Sequence, residues 1–239
     1  MQHRYEFKGK DGSIRGVNLP FTLEVESGWE QVRALTFWTK EPETLYWISD
    51  FKDNDNIVFW DIGANIGIYS LFCAYVHSFS KTYAFEPHST NFMKLMANVY
   101  NNDFGRLIHP QFYAMTNEAG YAEFFVKTME AGSSGGQIDQ MKDTKKYEVP
   151  MMSGDHFAEM TGINPTHIKI DVDGNELKIL QGMANILPAV KSLLVEANDS
   201  EVIKYLKAFG FEPDKKYMAL RGAGWKRASN TNVIFKRKK

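Results

Sequence analysis

With 239 residues, 44% of them hydrophobic, the chain is long enough for one large domain around a single buried core. A net charge of −1 lacks the basic excess that neutralising a phosphate backbone requires, so nucleic acid is not expected as a partner. The single cysteine, Cys73, excludes an internal disulfide and a two-cysteine metal site.

The first ~50 residues mix extended runs with a helix. Phe21-Thr-Leu-Glu-Val-Glu26 alternates as a half-buried strand does, and Glu41-Pro42-Glu43 opens a helix through Leu45, Trp47 and Ile48. From Asn56 onward, strands and helices alternate. The apolar run Ile57–Trp60 leads into Asp61-Ile-Gly63, then a helix from Gly67 to His77. A second strand, Thr82–Glu86, precedes a helix over Thr90–Asn101 with Phe92, Leu95, Met96 and Val99 at helical spacing. A third strand near Leu107–Ala114 precedes a hairpin that includes Ala122–Val126. A fourth is His167–Val172, with a helix beginning near Gly174; a fifth is Ser192–Glu196, with a helix over Val202–Phe209. Strands near Tyr217–Arg221 and Asn232–Lys236 would close the sheet as a C-terminal antiparallel pair.

The expected fold class is therefore α/β: a mostly parallel seven-stranded sheet with helices on both faces. Residues 1–50 read as an extension or acceptor cover on a domain spanning 51–239. Ligands in such sheets bind at the carboxyl ends of the strands, where strand order reverses. That places the chemistry after Asp61, Glu86, Ala114, Asp171 and Glu196.

Asp61-Ile-Gly63-Ala64-Asn65-Ile-Gly67 lies between an apolar strand and a helix. Its glycines suit a tight turn against a ligand, and the helix N-terminus favours a carboxylate or phosphate; an ordinary βα turn would show the same pair. Glu86, 25 residues after Asp61, stands where an acid can accept bonds from both ribose hydroxyls of an adenosine. A dinucleotide loop wants Gly-x-Gly-x-x-Gly. Here Asn65 puts a side chain where a pyrophosphate would press on the backbone, so the loop favours S-adenosylmethionine over a nicotinamide dinucleotide.

These segments together resemble the FkbM family of methyltransferases: Glu41-Pro-Glu-Thr44, Phe59-Trp-Asp-Ile-Gly-Ala-Asn-Ile-Gly-Ile-Tyr-Ser70, Ala84-Phe-Glu-Pro87 with Asn91, Leu95 and Asn98, and Ile168-Lys-Ile-Asp-Val-Asp-Gly-Asn-Glu176. The resemblance runs from about Glu41 to Asn198. It implies a Rossmann-like class I methyltransferase fold and methylation of a hydroxyl on a sugar, glycan or other small natural product. It also implies donor contacts from Asp61, Gly63, Ala64, Asn65, Gly67, Glu86 and Pro87, with Ala114 and Met115 beside the adenine. Asp173 departs from the glutamate that many relatives carry.

The fourth strand alternates His167, Lys169 and Asp171 with apolar residues, so the three polar groups share one face. Burying them is costly unless they pair. For Lys169 and His167 the alternatives are a structural ion pair, to Asp171 or Glu196, or a part in catalysis. Asp171, at the strand end, is the candidate base or acceptor-orienting group, with His167, Glu196 and His88 as weaker candidates. The Asp171-x-Asp173 pair could hold Mg²⁺ with waters, but it fails as a calcium loop, and acids at a helix start serve the helix dipole; no metal ligand is assigned.

Gly132-Ser-Ser-Gly-Gly136 is either a lid or a flexible linker. The basic run Arg221, Lys226, Arg227, Lys236–Lys239 is either solvated or attracts an anionic substrate. No apolar run nears the ~20 residues of a membrane span. The charged start lacks a signal-peptide core, so a cytoplasmic location is expected. The competing functions are an RNA or protein methyltransferase on the same donor, a nicotinamide-dependent oxidoreductase, and an inactive ligand sensor.

Overall fold

The computed structural model describes residues 2–8, 14–52, 56–138, 142, 144–196, 199–218 and 232–238. Its centre is a seven-stranded sheet. The strands are β3 (Val58–Ile62), β4 (Lys81–Phe85), β5 (Ile108–Gln111), β9 (His167–Ile170), β10 (Ser192–Glu196), β11 (Phe211–Pro213) and β12 (Asn232–Arg237). They lie in the order β11-β12-β10-β9-β3-β4-β5. Only β12 runs against its neighbours, so the expected parallel sheet with one antiparallel return is observed. From β3 the chain builds outward through β4 and β5, then restarts at β9 and builds the other way. The reversal therefore lies between the ends of β3 and β9, the place where a ligand crevice opens.

Two core clusters cover the two faces of the sheet, and strand alternation assigns the residues to them. Phe59 and Leu194 pack on the side of α2 (Pro42–Ser49) and α3 (Ile68–Val76). Trp60, Ile168, Leu193 and Val195 pack on the opposite side with α5 (Gly154–Thr161) and α6 (Glu176–Gln181). Residues before β3 share the first cluster: Leu19, Phe21, Leu23, Ala34, Phe37, Trp47 and Ile48 are all buried in it.

Several elements differ from the sequence expectation. Residues 3–8 and 14–19 form a hairpin, β1 (His3–Lys8) with β2 (Ile14–Leu19). Phe21–Glu26 buries Phe21 and Leu23 as its alternation requires, yet pairs with no strand among the described residues. Asparagine side chains on α4 (Ser89–Asn101) and at its C-cap satisfy its backbone instead. Asn102 Oδ1 accepts Thr22 N–H at 2.7 Å, Asn102 Nδ2 donates to Thr22 O at 2.7 Å, and Asn98 Oδ1 accepts Glu24 N–H at 3.0 Å. Helix α1 (Gly28–Thr36) was not expected, although Ser27-x-x-Glu30 marks its start. Ser27 Oγ accepts Glu30 N–H and Glu30 Oε2 accepts Ser27 N–H, a reciprocal cap.

The third strand ends earlier than expected, and the antiparallel pairing expected of Ala122–Val126 lies in a separate sheet. After β5 the chain leaves the main sheet to form β6 (Ala114–Thr116), which joins β7 (Gly120–Val126) and β8 (Lys145–Ser153) in the order β6-β8-β7. β6 and β7 each pair with β8 rather than with one another. Tyr217 lies in the short helix α8 (Lys215–Met218), so the expected strand there is absent. The preceding β11 supplies the outer strand after α7 (Ser200–Ala208). The rest of that expected strand, Trp225 and the basic residues Arg221, Lys226, Arg227 and Lys239 lie outside the described residues. Lys236 pairs with Asp214 and Lys238 with Glu212.

Candidate active site

The crevice opens where the switch between β3 and β9 predicts. Gly63 ends β3 at φ +77°, and a Cβ there would be driven into the Asp171 carbonyl, so only glycine lets the ends of the two strands meet this closely. The bend is held by its neighbour strand, since Gly63 N–H and Ala64 N–H both donate to Phe85 O at 3.0 Å. Asn65 continues the bend at φ 54°. Gly67, at φ 86°, caps α3, with a Cβ position occupied by the Leu95 side chain. Gly67 has no side chain to cap α3, and in its first turn the Ser70 N–H is held by the Asp61 carboxylate.

Glu86 follows β4 and lies against this bend. Its Oε2 accepts Asn65 N–H at 2.7 Å and its Oε1 accepts His88 N–H at 2.8 Å. Burial outweighs both bonds and pushes its carboxyl up to about 7. Each oxygen keeps a second lone pair, which is what two ribose hydroxyls need.

The loop 132–136 forms the roof, tied on several sides. Ser133 O accepts from Asn65 Nδ2 at 2.7 Å and from Asn91 Nδ2 at 3.1 Å. Gly132 N–H donates to Asn91 Oδ1 at 2.8 Å, and Gly135 N–H donates to Asp173 Oδ2 at 2.8 Å. Arg33 Nε and Ser27 Oγ reach from α1 to Gly132 O and Ala131 O, each at 2.6 Å. A Cβ at Gly136 would strike the Phe124 ring. The loop is a fastened cover rather than a slack linker.

Beneath it lies a cavity of about 350 Å³, within the range of small-molecule sites. Gly63, Asn65, Glu86 and Pro87 line its donor side, and Arg33, Lys40, Asp171 and Glu196 line the rest. A narrower extension of about 40 Å³ runs between Pro87, Ala114, Met115, Phe124 and Ile179. This apolar slot has the character an adenine ring needs, and it includes both residues expected there.

Asp61 stands apart from the cavity. It is fully buried, accepts the Ser70 hydroxyl at 2.6 Å and lies 3.8 Å from Lys169 Nζ. It therefore acts from behind the loop. Burial raises its carboxyl above the ordinary value, against the opposing effects of Lys169 and Ser70. Asp171, by contrast, reaches the cavity with a side chain 32% exposed, and its Oδ2 accepts from Lys169 Nζ at 2.9 Å. Burial pushes its carboxyl up, but the Lys169 ammonium outweighs this and holds it below the usual carboxylate range.

Two histidine candidates are corrected. His167 sits at the start of β9, far from the strand ends. Its ring stacks on Phe51 at 3.8 Å and 2°, and its Nδ1 pairs with Ser192 Oγ at 2.8 Å. It is a core residue. His88 lines the cavity, but both ring nitrogens are engaged: Nδ1 accepts Asn91 N–H at 3.4 Å and Nε2 donates to Thr128 O at 3.0 Å. That arrangement spends the proton and the lone pair a base would use. Glu196, at the end of β10, does line the cavity.

The two carboxylates considered for magnesium have other partners, Asp171 with Lys169 and Asp173 with Gly135 N–H. No cluster of three metal-ligating side chains occurs among the described residues. Arg33, Lys40 and the loop contacts of Asn91 were missed as site features in the sequence. The capping box at Ser27 was the available signal for the helix that carries Arg33.

The chain matches the Methyltransferase FkbM domain over residues 61–213. The hexuronic acid methyltransferase AglP of Haloferax volcanii is 26% identical over 200 residues, covering 78% of this chain and 77% of that protein. Among solved structures, the methyltransferase FkbM from Methylobacillus flagellatus superposes with a TM-score of 0.51 at 15% identity, over 89% of this chain and 56% of that one. An rRNA methylase from Streptococcus thermophilus superposes with a TM-score of 0.50 at 9% identity, over 82% and 95%. At these identities the two structures establish the common fold.

Proposed function

Since the chain belongs to the FkbM family of S-adenosylmethionine-dependent methyltransferases, we propose that it methylates a hydroxyl of a sugar or glycan, with Asp171 beside the reacting oxygen. The observation that carries this reading is one cavity with the Glu86 carboxylate on one side, Asp171 on another and the Gly63–Asn65 bend between them. The donor supplies an electrophilic methyl group on a sulfonium. Glu86 would hold its ribose, Gly63, Ala64, Asn65, Gly67 and Pro87 its amino-acid and nucleoside backbone, and Ala114 and Met115 its base. Asp61 would fix the loop from behind. With donor and acceptor bound, the covering loop would help exclude water, which strengthens every charge interaction inside.

The acceptor enters from the side lined by Arg33, Lys40, Asp171 and Glu196. Residues 1–50 act there as its cover on the 51–239 domain. The Haloferax relative is named for a hexuronic acid. Arg33 supports a similar acidic acceptor here: it lines the cavity, and its Nε is fixed to Gly132 O. An RNA acceptor has less support, because the chain carries no basic excess. No described helix is long and apolar enough to cross a membrane; we place the reaction in the cytoplasm.

Methyl-labelled donor offered with methyl glucuronoside, methyl glucoside and RNA oligonucleotides tests this. Label in a glycoside, stable to mild alkali as an ether is, supports it. Label in RNA alone, or in none of the three, refutes it.

A further inference from the structure

Lys169 is a lysine at 1% exposure in the middle of the sheet, and donor binding does not account for it. Its register partner across β3 is Asp61, so the two side chains share a face. The ammonium lies 5.0 Å from the centroid of the Tyr69 ring, 3.8 Å from Asp61 Oδ1 and 2.9 Å from Asp171 Oδ2. The surroundings extend this network: Tyr69 OH donates to Glu41 Oε2 at 2.7 Å, and Glu41 pairs with Lys40 at 3.2 Å. Ser70 occupies Asp61 from the other side. Burying an ammonium with two carboxylates is costly and easily replaced by apolar packing where only stability is at stake. The geometry has a directional result instead: Asp171 lines the cavity and is gripped through Oδ2, so Oδ1 is the oxygen not committed to Lys169.

We infer that Lys169 is a positioning residue for methyl transfer, holding Asp171 by one carboxylate oxygen so that the other is presented to the acceptor hydroxyl. The inference rests on the proposed place of Asp171 beside the reacting oxygen. In the transfer, the acceptor oxygen forms a bond to the methyl carbon as the C–S bond breaks and its electron pair stays on sulfur, leaving a neutral thioether. The oxygen becomes an oxonium, and its proton passes to Asp171 Oδ1 and then to water. A carboxylate held in its ionised form by an ammonium is too weak a base to strip a free alcohol, but it readily takes a proton from an oxonium. Bond formation therefore leads and the proton follows. Asp171 lines up the hydroxyl beforehand by accepting its hydrogen bond.

The groups around Asp171 set the expected pH behaviour. Lys169, Lys40 and Arg33 favour its ionised form. Asp61, Asp173 and Glu176 are coupled to it as like charges, and Glu41 acts on Lys169. Glu196, on β10, lines the same cavity.

The test is a ¹³C titration of aspartate carboxyl groups in the S-adenosylhomocysteine complex, with the Asp171 signal assigned by Asp171→Asn. In Lys169→Met that signal should titrate at least about one pH unit higher than in the wild type, and Lys169→Arg should restore it. With the sugar from the panel that is methylated best, kcat in Lys169→Met should fall about tenfold or more, its acid limb moving with the titration. The dissociation constant for S-adenosylhomocysteine should stay within about twofold. If Lys169→Met does not fold, Asp61→Asn leaves the ammonium to Asp171 alone and should lower its titration. An unmoved Asp171 signal in whichever of these variants folds overturns the inference, as does a loss of kcat with no shift of the acid limb. A fully active Asp171→Asn enzyme would refute the placement of Asp171 itself, a separate failure from an active-site carboxylate that Lys169 does not control.

Discussion

Replacing Glu86 by glutamine tests the donor site through a proton. In the free protein this carboxyl is pushed up to about 7 by burial, despite accepting the N–H groups of His88 and Asn65. Ribose hydroxyls donate to a carboxylate, so the donor selects the ionised form and must expel the proton from molecules that carry it. If the bound state is ionised throughout, the apparent dissociation constant is multiplied by 1 + 10^(7−pH). That factor is about 11 at pH 6 and about 1.1 at pH 8, a tenfold change worth about 1.4 kcal/mol. Calorimetry with S-adenosylhomocysteine at the two pH values, in buffers of different ionisation enthalpy, reads both the affinity and the released proton. Glutamine keeps one acceptor but turns an amide donor toward one of the two N–H groups. An unpaired buried donor costs about 1–3 kcal/mol, so affinity should fall at both pH values and the slope should vanish. A wild type with equal affinity at pH 6 and 8, or a variant that keeps the slope, would show that Glu86 does not hold the donor through its ionised form.

The same carboxyl sets a sign for stability. Its folded value of about 7 lies above the ordinary 4.5, so between them the folded chain holds the extra proton. The contribution is fully present below pH 4.5 and is lost as pH rises through about 7, by about 3 kcal/mol at most. Urea midpoints should therefore decline more with pH over this window in the wild type than in Glu86→Gln.

Three further outcomes are expected. Gly63→Ala should lower stability by more than the ~1 kcal/mol of its left-handed backbone, because the methyl meets the Asp171 carbonyl, and should abolish S-adenosylhomocysteine binding; normal binding would remove the close approach from the argument. Asn102→Ala should cost about 1–3 kcal/mol and expose the Thr22 amide to hydrogen exchange, whereas a protected amide would show that another partner holds the segment. Arg33→Gln should raise KM for methyl glucuronoside about tenfold while leaving the neutral glucoside unchanged; parallel rises for both would count against recognition of an acidic acceptor.

What the chain states locally, it states clearly. A continuous apolar run followed by Gly63 and Gly67 encodes a buried strand, a bend and a helix start, because side-chain burial and backbone freedom are properties of the residues themselves. Glu86 was legible for the same reason: it ends the next strand, and parallel strands put their ends side by side. The alternation of His167, Lys169 and Asp171 correctly predicted a shared face. It could not divide their roles, since one face of a strand runs from the deep core to the rim of the crevice. Distance along that face made His167 a stacked core ring and left Asp171 open to the cavity.

The tertiary structure alone decided the partners. Phe21–Glu26 has the pattern of a strand, but asparagines some 75 to 80 positions later complete its backbone. The segment from Ala114 to Ser153 gave little warning of a second sheet, because the partner of β6 and β7 is a strand that follows both. The glycine-rich loop is a roof only because Asn65, Asn91, Asp173 and Arg33 converge on it. Local sequence sets which face a residue presents; which distant group meets that face depends on packing that no short window contains.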